Sequence, residues 1–297
     1  MELRELKYFI AVAEKGSISK AAESLFLTQP NLSRQMQGLE SKLGQKLFVR
    51  GNRKITLTEA GKLLKKRAEE IIALSDKTES ELSVKYGEIA GRIAIGGGES
   101  YAVSLIAEVA CRLRDDYPSI KFDFFSGDTH EVIEKLDKGL IDFGILIAPA
   151  DLSKYSYLEL PLTDTWGVLM KKDSRLADKT FVTPQDLYDK KVILSKHSLN
   201  EYIINEWFGE YSDGLDVVAT YNLIYNASLL VKQGLGYALA LDKLVDVSSE
   251  SSLCFRPLKP TLESRLSVVW KPDTVFSAPS LKFITYLKKL LSSIEKE

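Results

Sequence analysis

The chain has 297 residues, of which 45% are hydrophobic and 27% charged, a balance that supplies packed cores and excludes wholesale disorder. Its longest apolar runs, such as Ile141 to Ala150, are broken by Asp142 and Gly144. None approaches the ~20 residues of a bilayer-crossing helix, so no membrane partner is expected. The net charge of −1 hides an asymmetry: residues 1–58 carry ten Lys or Arg against five Glu, for +5, and the remainder carries −6. A basic end on an acidic body directs a polyanion such as nucleic acid to the N-terminal part alone.

In chain order, Leu3, Leu6, Phe9, Ile10 and Ala13 recur at helical spacing and predict a helix over about 2–14, ended by Gly16. Ser17 is a good cap for a second helix, Ile18 to Leu25, and Phe26-Leu27 makes a tight connection. Thr28 is expected to cap a third helix, with Pro30 in its first turn, running through Leu32, Met36 and Leu39 to Leu43 and stopping at Gly44. Lys46 to Arg50, Gly51-Asn52 and Arg53 to Leu57 then read as a short hairpin with a basic tip. Thr58 caps a long polar helix to about Lys85. Its narrow stripe of Leu64, Ala68, Ile71, Ser75, Thr78 and Leu82 is expected to pack against a partner helix, with packing on its own domain as the alternative.

From Ile89 strands alternate with helices. Strands are predicted at Arg92–Gly96, Lys121–Phe125, Phe143–Ile147, Trp166–Met170, Lys191–Leu194, Leu215–Thr220 and Tyr237–Leu241. Helices are predicted at Ser100–Tyr117, Thr129–Lys138, Tyr202–Tyr211 and Ala227–Gln233, which implies parallel sheets with crossover helices. Leu266 to Trp270 returns as a late strand. The N-terminus is mixed in charge and shows no secretory pattern, and Cys111 and Cys254 match no metal spacing, so a cytoplasmic protein with free thiols is expected.

Helix, tight turn, helix, with Gln29, Asn31, Ser33, Arg34, Gln35 and Gln37 on the second member, is what reading the major groove requires. Arg pairs with guanine, Gln or Asn with adenine, and Ser reaches phosphate. Leu32, Met36 and Leu39 would anchor the opposite face, and the hairpin adds Arg50, Arg53 and Lys54.

The runs Leu6–Glu14, Gly16–Ala22 and Thr28–Met36 resemble the LysR-type transcriptional regulators. So do Leu39-Glu40, Leu43-Gly44, Leu47–Arg50 and Leu57–Gly61, and more loosely Gly139–Ile145 and Val231–Gly236. The resemblance implies an α/β chain of three pieces. These are a helix-rich winged helix-turn-helix over 1–58, a dimerising linker helix over 59–87, and a two-lobed effector domain over 88–297, similar to type 2 periplasmic binding proteins. Lobe I would take about 88–161 and 267–297, and lobe II about 162–266. It further implies a homodimer or homotetramer on double-stranded promoter DNA, with RNA polymerase as a further partner. By matching position, Gln29, Pro30, Asn31, Ser33 and Arg34 would meet DNA, Ser17 and Lys20 would approach phosphates, and Arg50, Arg53 and Lys54 would form the wing. Gln37 departs from the family, which often has a basic residue there.

The same resemblance places an effector cleft between the lobes, with Ser100, Tyr101, Thr129, Ala148, Ser195, His197 and Asn222 at matching positions. From the residues alone, the turns Gly96–Tyr101 and Ser126–Thr129 open helices and offer N–H groups to an anion, while Glu99 and Asp128 oppose a strongly charged one. Tyr221 and Tyr225 are candidates for an aromatic wall. No metal or resident cofactor is expected, only a small-molecule co-inducer of unknown identity. An enzyme is not expected: there are two histidines, no Gly-x-Ser-x-Gly, no P-loop and no Cys/His metal set, and Ser195–Ser198 reads as a hydrogen-bonding loop. A solute-binding transport protein, the other alternative, leaves the DNA-reading helix unexplained.

Overall fold

The computed structural model describes residues 1–51, 54–82, 88–196 and 202–294. The chain divides into two compact units, Met1–Val84 and Lys85–Glu297.

In the first unit, helix α1 (Leu3–Lys15) is followed by α2 (Ile18–Ser24) and α3 (Gln29–Leu43), then the strands β1 (Phe48–Arg50) and β2 (Ile55–Leu57), and finally α4 (Glu59–Leu82). Gly16 and Gly44 end α1 and α3 in the left-handed conformation, at φ of 60° and 63°, where a side chain would be strained. Leu6, Phe9 and Val12 of α1, Ala21 and Ala22 of α2, and Leu32, Met36 and Leu39 of α3 close one core with Leu47 and Ala68. The helical members each lie on the inward stripe of their helix. Thr58 caps α4 by accepting from the Gly61 N–H at 2.9 Å, and its hydroxyl donates to the Lys46 carbonyl at 2.6 Å. A Cβ at Gly61 would sit 2.2 Å from the Leu47 carbonyl oxygen, so only glycine lets α4 start this close to the hairpin.

The stripe expected on α4 divides. Leu64 and Ala68 pack into the core of their own unit, together with Ile72, which the stripe omits. Ile71 and Leu82 stay 40% and 81% exposed, as do Leu63 and Leu74 at 61% and 43%. Length explains the split: α4 has 24 residues against 13 in α1. At 1.5 Å per residue it runs ~36 Å and outreaches its neighbour.

The second unit contains β3 (Gly91–Gly97), α5 (Val103–Asp116), β4 (Ile120–Ser126), α6 (Thr129–Asp137), β5 (Phe143–Ile147), β6 (Ser156–Lys171), α7 (Pro184–Leu187) and β7 (Lys191–Ser195). After these come α8 (Tyr202–Phe208), β8 (Asp216–Tyr221), α9 (Ile224–Lys232), β9 (Tyr237–Leu241), β10 (Leu253–Pro257), β11 (Glu263–Trp270) and α10 (Ala278–Ile294). The strands order as β4-β3-β5-β11-β6-β9-β7-β8, with β10 on β6. β3 is parallel to β4 and β5, and β7 is parallel to β8 and β9. In contrast to the all-parallel expectation, β11, β6 and β10 join antiparallel. The sheets are mixed because β6 crosses from one lobe to the other and β11 returns beside it.

Lobe I packs α5 and α10 on its sheet around Ile106, Val109, Phe143 and Phe283. In lobe II, Val192 and Leu194 of β7 point into one cluster and Ile193 into another, so both faces of that strand are buried. Several bounds differ from expectation. The helix predicted at Ser100 begins at Val103, and the one predicted to Tyr211 ends at Phe208 in a 3₁₀ turn, Gly209–Gly214. The first ten residues of β6, together with α7, β10 and α10, were not predicted. Among the described residues, no helix is long and apolar enough to cross a membrane and no cluster of three His, Cys, Asp or Glu is placed to hold a metal.

Candidate nucleic-acid interface and ligand cleft

On α3, Leu32, Met36 and Leu39 are buried, and Gln29, Pro30, Asn31, Arg34 and Gln37 stand exposed on the other side, with Ser33 and Gln35 half-buried. Residues 30, 33, 34 and 37 recur at one face of a helix. Arg34 makes no hydrogen bond or ion pair with the described residues. Other cations of the unit are committed internally: Lys42 to Glu5 at 2.5 Å, Lys46 to Glu40 at 3.1 Å and Lys7 to Asp76 at 3.4 Å. The basic surplus is thereby concentrated near α3 and the hairpin.

Thr28, expected as the α3 cap, makes no side-chain cap bond, and Pro30 has no N–H to satisfy. Ser17 does cap α2, accepting from the Lys20 N–H at 3.4 Å, which leaves its hydroxyl hydrogen available. The Ile55 N–H donates to the Gly16 carbonyl at 2.9 Å, and the Lys54 side chain lies 3.1 Å from the position of a Cβ on Gly16. Ser17, Lys20 and Lys54 are therefore gathered around one turn. Arg53 lies outside the described residues, as does the side chain of Arg50.

Glu40 ties the hairpin to α3. Its Oε1 accepts from the Leu47 N–H at 2.8 Å and from Phe48 at 3.4 Å, and its Oε2 from Lys46. Burial alone would raise its pKa, but the Leu47 N–H, Lys46 and Phe48 together hold it below the usual carboxylate range. Phe26, which sequence reasoning used only as a connection, stands 97% exposed at φ 55° just before α3. The aromatic residue in the tight connection is visible in the sequence; the left-handed backbone that carries it is not.

In the second unit a cavity of about 280 Å³ opens between the lobes. Gly98, Glu99, Asp128 and Thr129 line it from lobe I, and Trp166, Ser195, Lys196, Tyr221, Asn222 and Ile224 from lobe II. All of these but Trp166, which lies within β6, lie at or follow the carboxyl ends of β3, β4, β7 and β8, where open α/β sheets place ligands. Of the predicted effector residues, Thr129, Ser195 and Asn222 line the cavity. His197 lies outside the described residues.

Ser100, Tyr101 and Ala148 do not line it. Ser100 is 7% exposed, and its Oγ accepts from the Ala102 N–H at 2.9 Å. Tyr101 is 46% exposed, beneath the Lys243 ammonium at 4.8 Å. The Ala148 N–H donates to the Arg265 carbonyl at 2.8 Å. Ser100 turns inward because a buried carboxyl lies there. Asp164 is 1% exposed and its Oδ2 has no hydrogen-bond partner among the described residues. Burial pushes its pKa up; the Ser100 hydroxyl and Tyr101 N–H counter this in part, and Asp242 adds to it.

Tyr221 lines the cavity and donates to the Leu239 carbonyl at 2.7 Å, whereas Tyr225 is 68% exposed and does not line it. Burial, and then Glu99, push the Tyr221 phenol above its usual range. Trp166 and Lys196 were missed in the sequence. Trp166 falls inside a predicted strand, and nothing in its neighbours shows that the ring reaches a cleft.

Residues 3–62 match the family described as "Bacterial regulatory helix-turn-helix protein, lysR family", and residues 87–292 match the "LysR substrate binding domain". The chain belongs to the LysR-type transcriptional regulators. Among similar LysR-type proteins is the uncharacterized HTH-type transcriptional regulator YvbU of Bacillus subtilis, 27% identical, covering 100% of this chain and 98% of its own. The Hca operon transcriptional activator HcaR of Escherichia coli is 28% identical over 99% of both chains. The crystal structure of CbnR, a LysR family transcriptional regulator, shares the fold with a TM-score of 0.78 at 19% identity, over 98% of this chain and 99% of that one. This LysR-type chain is thus a DNA-binding transcription regulator whose second unit is a substrate-binding domain for an effector.

Proposed function

We propose that this regulator binds double-stranded promoter DNA as a homodimer or homotetramer, and that a small co-inducer in the interlobe cleft changes that binding or the activation that follows it. RNA polymerase is then the partner that reads the change. The observation that carries the DNA half is the outward face of α3, with Arg34 exposed and uncommitted over a core of Leu32, Met36 and Leu39. CbnR, similar in fold, has been solved with its target DNA. Gln29, Pro30, Asn31, Ser33 and Arg34 are assigned to base edges and nearby phosphates, and Ser17, Lys20, Arg50, Arg53 and Lys54 to the backbone.

Oligomerisation is supported by the apolar side chains that α4 leaves outside its own unit, namely Leu63, Ile71, Leu74 and Leu82. Two copies then present two α3 helices to half-sites about one helical turn apart. The regulator acts in the cytoplasm, by binding and without substrate turnover. Within the cleft, Thr129, Ser195 and Asn222 are the assigned effector contacts.

The experiment is selection of operator DNA in vitro by the full chain, followed by gel retardation of the selected fragment with and without a panel of small metabolites. The expected result is tight, salt-dependent binding to a two-fold symmetric site, altered by at least one metabolite. Equal binding to selected and scrambled DNA would remove the DNA reading. Operator binding indifferent to every metabolite would remove the effector reading.

A further inference from the structure

The cleft already holds an anion of the chain's own. Glu99 leaves the end of β3 in lobe I, and its Oε2 accepts from the backbone N–H of Ile224 at 2.6 Å, 125 positions along the chain. Ile224 opens α9 in lobe II, and its preceding residue, Leu223, makes no side-chain cap bond. A helix start with an unsatisfied N–H and the positive end of its dipole is where an anion is held. In this regulator the place is taken from across the cleft, and both residues line the cavity.

Among the described residues, the other charged groups facing that space are Asp128, Glu131 and Lys196. Asp128 and Glu131 are engaged by each other's backbone N–H in the cap of α6, at 2.9 and 3.1 Å. The Tyr221 hydroxyl is spent on Leu239. A carboxylate arriving from solution would have to displace a tethered one, whose effective concentration is high, and would enter a lining that, among the described residues, holds more carboxylates than cations.

We propose that Glu99 is a specificity-determining latch: it joins the two lobes at the start of α9 and excludes outside carboxylates there, so that the effector carries no carboxylate at that end. This rests on the reading of the cleft as the effector site. The step is non-covalent, an exchange of one acceptor for another at the Ile224 N–H.

The test uses the full-length protein with Glu99→Ala, which vacates the helix start, and Glu99→Gln, which keeps an acceptor without charge. Thermal unfolding is followed in sodium formate and in sodium chloride at equal ionic strength. Formate is expected to raise the melting temperature of Glu99→Ala, with a half-effect at about tenfold or more lower concentration than in the wild type, and Glu99→Gln is expected to lie between them. A merely structural glutamate predicts a lower melting temperature with no difference between the salts. Formate acting like chloride on Glu99→Ala, or acting equally on the wild type, overturns the latch. Should Glu99→Ala not fold, Glu99→Gln against the wild type carries the same comparison. Operator retardation in the same preparations separates the two readings: a formate effect without any metabolite response sustains the latch and removes the effector role, while the reverse removes the latch alone.

Discussion

On α3, the outward side chains from Gln29 to Gln37 share one helix with the Leu32, Met36 and Leu39 that anchor it, so caps and core fix their geometry together. In the cleft, Glu99, Thr129, Ser195 and Asn222 arrive from four strand ends belonging to two lobes. The first surface is as rigid as its unit. The second depends on how far the lobes stand apart, which one hydrogen bond, Glu99 to Ile224, helps to set. A single-helix site suits a constant partner such as duplex DNA, and an interlobe site suits a ligand whose arrival must change something.

Glu40→Ala should cost about 3 kcal/mol in the first unit, because the Leu47 and Phe48 N–H groups lose a buried charged acceptor; chemical denaturation of the full chain, following the transition of this unit, measures it. The wild-type contribution has a pH signature. The folded pKa of Glu40 lies below its unfolded value, so the stabilisation is complete above the ordinary carboxylate range and is lost only as pH falls through the lower, folded value. Glu40→Ala should lack that acid-side loss, and a variant melting with an unchanged acid profile would detach Glu40 from the hairpin clamp.

A smaller effect of opposite sign is expected at Asp164. Its folded pKa is raised, so ionisation costs stability as pH climbs from the ordinary Asp range through the folded value, and the cost is complete above it. Asp164→Asn should stabilise the second unit at neutral pH, and that gain should vanish in strong acid. A variant that is less stable at neutral pH would make Asp164 an anchor for Ser100 instead of a burden. The smallest change is at the wing: Lys54→Ala should weaken all DNA sequences alike and lower the salt slope of binding by about one, read from retardation at several salt concentrations. A sequence-selective loss would move Lys54 to base reading.

Legibility in the sequence followed the same division. α1, α2 and α3 could be placed because their signals are local: Gly16 and Gly44 need left-handed backbone, and Leu32, Met36 and Leu39 fall at helical spacing. The first half of β6 carries Leu158, Leu160 and Leu162 at alternating positions, but Pro161 on the outward side reads as a strand breaker. The C-terminal helix carries its own signal in Phe283, Ile284, Leu287, Leu290 and Leu291, which fall at helical spacing after the returning strand. On α4 the stripe was visible but its owner was not, since Leu64 and Ala68 obey the same spacing as Ile71 and Leu82 while facing a different neighbour.

The cleft was legible only as strand ends. Ser100 stands at the start of a helix, as a ligand-binding serine would, yet a buried Asp164 sixty-four positions away turns it inward. Glu99 reads as a charge opposing anions; only the fold shows that it takes the place of one. Contacts between residues this far apart in sequence leave no periodic trace.

The most direct test of the central claim is the affinity of Arg34→Ala for the selected operator and for scrambled DNA, at one salt concentration, with folding checked by its melting curve. A loss of about 1–3 kcal/mol is expected on the operator, with a much smaller loss on scrambled DNA and an unchanged melting temperature. Undiminished operator binding by a folded Arg34→Ala protein would contradict that claim.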